Sequence, residues 1–423
     1  MYTSLEPGQI SQYGPLSSYS MTSDGGSSPA LAGSQPLQYL DLFHRSHPRI
    51  RVIPMRKSTI ELRKQLRDEY RGGGIQADVV WGVASSVLNS AEFTDQTGKD
   101  NAFEGYRPAG LDDIIAARAQ NDMSTDTRWF DRGALTAPPW VGTNIRMTAF
   151  CLNKRKIEAA FPTPVAGCTL STKGVIPSSP AVPLLLSWSV LSEACMEGHV
   201  SMPDPTTSGT GFLALTGLIQ NIGTPPPSAV ADFADADLVL NSEGMKVYTL
   251  IDAKLGCYRP KGEQPCKDAD DPSSPIWLGV SLDYYATNRA GTASPDLRAA
   301  FPAANGKGQS GWEVEANALV RRSMKKDLAR EFLDWTLSEE AMRAYASNYA
   351  VVARKFVNQP LLSGYPTYPR GTKDPNGLYA VEQQLFVNNN LTLISNVEST
   401  ILAAWMKIPS RRGTKTPPVE CRQ

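Results

Sequence analysis

The chain has 423 residues, 41% hydrophobic and 20% charged, the profile of a globular protein long enough for two domains of ordinary size. Lys+Arg and Asp+Glu balance at 42 each, so no charge excess directs it to nucleic acid or to an anionic membrane surface. No apolar run approaches the roughly 18 residues of a membrane span, which excludes membrane insertion by a helix.

The opening Met1-Tyr2-Thr3-Ser4-Leu5-Glu6 has no basic stretch followed by an apolar one, so no signal peptide is read there. Residues 17–36 are rich in Ser, Gly and Pro and are expected to form a loop insertion. Helical spacing over 37–44, a strand over 50–54, an amphipathic helix over 59–70 and a buried strand over 77–81 follow. That alternation predicts an α/β sheet with helices on its faces. The strand at 77–81 ends in the small-residue turn Gly82-Val83-Ala84-Ser85-Ser86, at the carboxyl edge where ligands of open α/β sheets bind.

Residues 140–153 form a second strand candidate, and 163–187 a second Pro/Ser/Gly-rich insertion. The segment from Ser201 to Phe212, Ser-Met-Pro-Asp-Pro-Thr-Thr-Ser-Gly-Thr-Gly-Phe, reads as a strand end, a Pro-bounded turn and the start of an apolar helix. A helix start presents unpaired N–H groups and the positive end of the macrodipole, and small residues let an anion approach the backbone. Thr206, Thr207, Ser208 and Thr210 add hydroxyl donors. An ordinary Ser/Thr cap before a core helix has the same local sequence. No lysine follows, so the Gly-x4-Gly-Lys-Ser/Thr phosphate loop is excluded. Further strands are expected at 247–251, 276–282 and 312–320, one long helix over 324–346, a Pro/Gly-rich stretch at 360–377 and a last helix over 391–406.

Six cysteines are present, none in a CxxC pair, and only three histidines (His44, His47, His199), a composition that argues against zinc. Cys257 and Cys266 flank a loop with Pro260, Gly262 and Pro265, and Cys168 and Cys195 bracket another excursion. Disulfides Cys257–Cys266 and Cys168–Cys195 are expected, and with them an oxidising compartment. Catalysis has little to stand on. Ser208 lacks the Gly-x-Ser-x-Gly elbow, no histidine has a recognisable triad partner, and no GxGxxG follows a strand. The chain is read as a non-enzyme.

Several segments together carry a family likeness: Tyr2-Thr3-Ser4-Leu5-Glu6, Arg56-Lys57-Ser58-Thr59, Ala77-Asp78-Val79-Val80-Trp81-Gly82-Val83-Ala84-Ser85-Ser86, Trp140-Val141-Gly142, the Met202–Phe212 helix start, Gly279-Val280-Ser281-Leu282-Asp283-Tyr284, Gly311-Trp312-Glu313-Val314-Glu315-Ala316 and Asn348-Tyr349-Ala350-Val351-Val352. In this order the chain resembles bacterial extracytoplasmic solute-binding proteins of ABC importers, above all the 2-aminoethylphosphonate-binding group, itself similar to the iron(III)-binding proteins.

The resemblance implies an α/β, two-lobed periplasmic binding protein fold of type II, with hinge strands joining the lobes and one ligand between them. Lobe 1 would hold 1–143 with 286–345, and lobe 2 144–285 with 346–410. Such a protein would be extracytoplasmic and monomeric, would need no cofactor, and would have an ABC permease as partner. A sensor or receptor module on the same fold is the alternative role. Ser58, Thr59, Ser85, Ser86, Thr206, Thr207, Ser208 and Gly209 would meet the phosphonate oxygens. Asp283, Glu313 and Glu6 would be carboxylates for the ammonium end, and Tyr2 and Tyr284 an aromatic wall. Tyr284-Tyr285 departs from the Tyr-Arg usual in the phosphonate group and resembles the paired tyrosines of the iron(III)-binding relatives. Ferric ion, held by Tyr284 and Tyr285, is therefore the alternative ligand.

Overall fold

The computed structural model describes residues 1–5, 39–94, 101–113, 136–172, 174–176, 184–223, 229–288, 294–304, 307–347, 350–353 and 391–408. Glu6 and the stretches 17–36 and 360–377 lie outside them. In chain order the elements are β1 (Tyr2–Thr3), α1 (Tyr39–Ser46), β2 (Met55–Arg56), α2 (Thr59–Arg71), β3 (Val79–Ala84), α3 (Ser85–Leu88), β4 (Phe103–Glu104) and the long β5 (Val141–Asn153). Then come α4 (Lys154–Ala160), β6 (Leu184–Leu186), β7 (Val200–Pro203), α5 (Gly209–Asn221), α6 (Ala236–Asn241), α7 (Glu243–Asp252), β8 (Cys257–Arg259), α8 (Gln264–Asp270) and β9 (Leu278–Leu282). The last are α9 (Asp283–Asn288), β10 (Leu297–Ala304), β11 (Lys307–Gly308), β12 (Trp312–Val320), α10 (Lys326–Thr336), α11 (Glu339–Ser347), β13 (Val351–Val352) and α12 (Leu391–Met406).

The sheet order β2-β1-β3-β12-β5-β9-β7-β8 explains the two lobes. At one end β1 lies parallel to both β2 and β3; at the other β7 lies parallel to both β8 and β9. The strand β5 belongs to both halves. Its residues 141–147 pair antiparallel with β12, and 148–153 with β9 and β10. Every residue of β5 is buried, the polar Thr143, Asn144, Arg146, Thr148 and Asn153 included. Two apolar clusters form: one around Trp81, Phe43, Phe103, Phe332 and Trp335, which continues along β5 to Cys151, Cys266 and Ile276 of the second half, the other around Phe150, Trp188, Tyr248 and Trp405.

Between the halves, Thr148 N–H donates to Gly311 O at 2.8 Å and Ser310 Oγ to Thr148 O at 3.0 Å. The middle of α5 packs here: a Cβ on Gly217 would overlap the Gly311 backbone, so this helix sits on the crossing with no side chain between.

Three expectations need correction. Residues 247–251 belong to the helix α7, because Ser242 Oγ caps the Met245 N–H and Met245, Tyr248 and Ile251 bury one helical face. The strand expected over 50–54 does not form there; the strand is Met55–Arg56, the residues that lie beside Tyr2 and Thr3 of β1. The single helix over 324–346 breaks in two at Leu337–Ser338, where the Ser338 hydroxyl accepts from Ala341 N–H and restarts the helix.

The cysteines follow the expectation only in part. Cys168–Cys195 forms with Cα atoms 5.9 Å apart, but Cys266 bonds to Cys151 of β5, at 5.3 Å, and not to Cys257. Cys266 lies on α8, which packs across β9 toward β5, so the nearer sulfur belongs to the strand beneath it and not to the loop before it. Cys257 is itself disulfide-bonded.

Candidate functional site

The parallel strands β1, β2, β3, β7, β8 and β9 hand over at their carboxyl ends to turns or helices, and those ends converge. A cavity of about 540 Å³ lies among Ser4 and Leu5 after β1, residues 56–61 after β2, Ala84, Ser86 and Val87 after β3, and residues 207–210 after β7. Pro260–Glu263 after β8 and Tyr284 and Tyr285 after β9 complete the ring, with Arg146, Glu313 and Glu315 of β5 and β12 as its floor. This is the crevice outside the carboxyl ends of the strands in which open α/β sheets bind ligands.

Two helix starts face each other across it. A Cβ on Gly209 would lie 3.2 Å from the Thr59 Cβ, so the first residues of α5 and α2 are in contact from opposite lobes. The α2 start is internally satisfied. Ser58 Oγ accepts from Glu61 N–H at 3.3 Å, while Ser58 N–H and Oγ donate to Glu61 Oε2 at 3.1 and 2.9 Å, a complete capping box. The backbone N–H of Ser58, and then its hydroxyl, hold the Glu61 carboxyl below its ordinary value. The α5 start differs. Ser208 is buried at its N-cap position and its side chain makes no capping bond; no acid stands in the first turn.

The remaining predicted residues divide by the partners they already have. Ser86, Thr207, Tyr284 and Glu313 line the cavity with Ser58, Thr59, Ser208 and Gly209. The Thr207 hydroxyl is exposed and points 3.4 Å to Pro260 O. Four others are turned away. Thr206 donates to Asp204 Oδ1 through both N–H and Oγ at 2.7 and 2.6 Å. Ser85 is fully buried and gives its hydroxyl to Glu313 at 2.8 Å. Asp283 lies beneath the floor and accepts from Met147 N–H. Tyr2 bonds Glu69 of α2 at 2.7 Å, and burial, reinforced by that bond, pushes its phenol up to about 12.

Glu313 is the acid best placed for a ligand. Ser85 Oγ, Ser86 N–H and Val314 N–H all donate to its Oε1, at 2.8, 3.4 and 3.1 Å. Burial nonetheless outweighs these bonds and pushes its carboxyl up to about 6. Its neighbour Glu315 is committed to the protein, accepting from Asn144 Nδ2 and pairing with Arg146 Nε at 3.2 Å.

The sequence reading missed Arg146. It is 2% exposed, its guanidinium lies 4.1 Å over the Tyr284 ring, and none of its three nitrogens meets an acceptor at hydrogen-bond geometry. Burial opposes its charge, but the carboxylates of Glu315 and Asp283 prevail and raise its pKa above the ordinary arginine value. The signal was present: one charge inside the otherwise apolar Ile145-Arg146-Met147 of a strand buried on both faces. Also missed was Lys261, in the turn after β8, which brings a cation beside Thr207 and Thr210.

No known protein-family profile matches the sequence. Structural comparison defines the class: this is the fold of the two-lobed periplasmic binding proteins. Among similar structures are the periplasmic binding protein AfuA from Actinobacillus pleuropneumoniae, bound to fructose-6-phosphate (15% identity, TM-score 0.56, 88% of this chain and 93% of that one). The ferric binding protein from Campylobacter jejuni shares 15% identity at TM-score 0.56, over 88% and 95%. Iron-bound HitA from Pseudomonas aeruginosa shares 16% at 0.54, over 87% and 94%. By sequence, an uncharacterized protein of Haemophilus influenzae is 22% identical over 153 residues, 36% of this chain; the match spans 37% of that relative's length. Among the described residues, no helix is long and apolar enough to cross a membrane.

Proposed function

We propose that this chain is the extracytoplasmic solute-binding component of an ABC importer, capturing a small organophosphonate such as 2-aminoethylphosphonate and delivering it to a permease. The observation that carries the reading is the uncapped α5 start facing α2 over a cavity floored by the buried Arg146 cation. Ser208, the first N–H groups of α5, and Thr59 and Ser86 from the other lobe supply donors for the anion's oxygens. Lys57 and Lys261, which also line the cavity, add positive charge from each side. Glu313, with its Oε1 already taken, offers the other oxygen to an ammonium group, and the Tyr284 ring forms a wall beside it. Donors from both lobes reach one anion only when the cleft is closed, so the ligand favours the closed state by its differential affinity. The role is binding, not catalysis.

The structurally similar AfuA, holding a phosphorylated sugar, is in keeping with an anion in this cleft. The iron-bound HitA supports the second reading, ferric ion on Tyr284 and Tyr285, whose rings lie tilted by 34° with centroids 3.9 Å apart. One feature weighs against it: a cavity of about 540 Å³ far exceeds one ion.

The deciding experiment is a thermal-shift titration of metal-stripped protein with 2-aminoethylphosphonate, inorganic phosphate and ferric citrate in parallel. Ligand at a hundred times its Kd stabilises the native state by about 2.7 kcal/mol. Stabilisation by the phosphonate is the expected result. A response to ferric citrate alone, with a red-purple absorption band lost in Tyr284→Phe and Tyr285→Phe, overturns it in favour of iron.

A further inference from the structure

The helix α12 belongs to the second lobe by its core and is tied to the first by Glu398. Leu393, Val397, Ile401, Ala404 and Trp405 are buried in the second core, and Lys407, just past its end, pairs with Asp237 of α6 at 2.9 Å. Its other side faces the cleft, where Ile394 and Glu398, one turn apart, line the cavity. The helix α12 also packs on α3 of the first lobe.

Arg63 makes the connection. It stands on α2 between Leu62 and Leu66, both fully buried on the first lobe's side. Its guanidinium is divided. Nε donates to Glu92 at 2.5 Å and Nη2 to Ser90 Oγ at 3.3 Å, both in its own lobe. Nη1 pairs with Glu398 and Nη2 reaches Ser395 O at 3.5 Å, both on α12. The Arg63 and Glu398 side chains are 17% and 21% exposed, far less than a surface pair, and Arg63 is held in place by its own lobe before α12 arrives.

We propose that α12 is a strap across one side of the cleft, and that Arg63–Glu398 is the contact that fastens it, biasing the protein toward the closed form. The proposal rests on the cleft being the ligand site, but it concerns the resting balance of open and closed forms, which exists without ligand. Separating the lobes breaks Arg63–Glu398 and Arg63–Ser395 while leaving Arg63–Glu92 intact. Ligand entry from this side requires the strap to lift.

The test uses the full chain with spin labels on Lys64→Cys and Leu250→Cys, exposed positions on α2 and α7. Among the described residues no cysteine is free, so the introduced thiols take the label. Interlobe distances are measured by pulsed electron paramagnetic resonance without ligand. Loss of the pair in Glu398→Gln is expected to raise the longer-distance population by up to about fivefold, the range that partly exposed ion pairs span. Glu398→Arg, which sets two cations against each other, is expected to raise it further. Glu92→Gln, which spares the strap contact, should leave the distribution as in wild type.

Superimposable distributions for wild type, Glu398→Gln and Glu398→Arg overturn the strap. So does a lengthening in Glu92→Gln equal to that in Glu398→Gln, since that reports a loosened α2. Failure of the phosphonate reading shows separately, as the absence of a thermal shift with 2-aminoethylphosphonate in wild-type protein.

Discussion

The two helix starts that meet across the cleft are built on opposite terms. At α2 the sequence Ser58-Thr59-Ile60-Glu61 supplies its own anion: the Glu61 carboxylate sits at the positive end of the helix and satisfies Ser58 N–H. At α5 the sequence Ser208-Gly209-Thr210-Gly211 supplies none, and the Ser208 side chain makes no capping bond. A carboxylate at a helix start contributes about 0.3–1 kcal/mol through the dipole alone, so leaving it out of α5 forgoes stability. The comparison teaches that a helix start earmarked for a ligand is recognised less by its glycines than by the absence of a local acid. Here α2 carries its own acid, and α5 has none in its first turn.

The sharpest attempt to break that contrast is Ser208→Asp, which gives α5 the anion it lacks. Aspartate is among the best N-cap residues, so the melting temperature should hold or rise. Affinity for 2-aminoethylphosphonate, measured by calorimetry, should fall by about a hundredfold or more, because a carboxylate then occupies the anion's place. Unchanged affinity would place the anion elsewhere.

Next in size is the acid on the cleft floor. Burial lifts the Glu313 carboxyl to about 6 from an ordinary 4.5, so between those values the folded protein keeps a proton that the unfolded chain has lost. Stability therefore falls as pH rises through this window and stays lower above it. The full shift corresponds to about 2 kcal/mol. In Glu313→Gln this component of the pH dependence should vanish and neutral-pH stability should rise, as read by urea unfolding from pH 4 to 8. A slope identical to wild type would remove Glu313 from the account.

The smaller effects set the helices directly against each other. Ser58→Ala breaks the α2 capping box and should cost about 1 kcal/mol of stability, with a far smaller change in affinity. Ser208→Ala should do the reverse, leaving urea unfolding nearly unchanged and weakening the phosphonate about fivefold, the worth of one hydrogen bond. If the two variants behave alike, the asymmetry between the helix starts has no functional meaning.

What the sequence made legible follows from the range of the interactions involved. The turns after β2, β3, β7 and β9 are local, spelled by small and hydroxyl residues next to an apolar strand, and all four reach the cavity. Which hydroxyls remain available is not local. Thr206 is taken by Asp204 two residues away, a short-range Asx turn that Asp204-Pro205-Thr206 spells out. Ser85 is taken by Glu313, 228 positions along the chain, which no local pattern reveals. Tyr2 and Asp283 lie beside motif residues yet face away, because alternate positions of a strand and the first turn of a short helix point in different directions. The Cys151–Cys266 bond spans 115 positions and depends on α8 lying across β9 onto β5. Arg146 was legible in principle, since an isolated charge in a doubly buried strand demands a partner.

The side-chain-free contact between Gly217 and Gly311 gives α5 the mechanics of a lever. Gly217 lies eight residues into the helix from Gly209, about 12 Å along its axis, and it rests on the point where the chain passes between lobes. A tilt of roughly 10° about that fulcrum would carry the Ser208 end through about 2 Å, enough to break a hydrogen bond of ordinary length. A small rotation at the crossing is thus geared up into a larger displacement at the helix tip, with no unfolding of the helix itself.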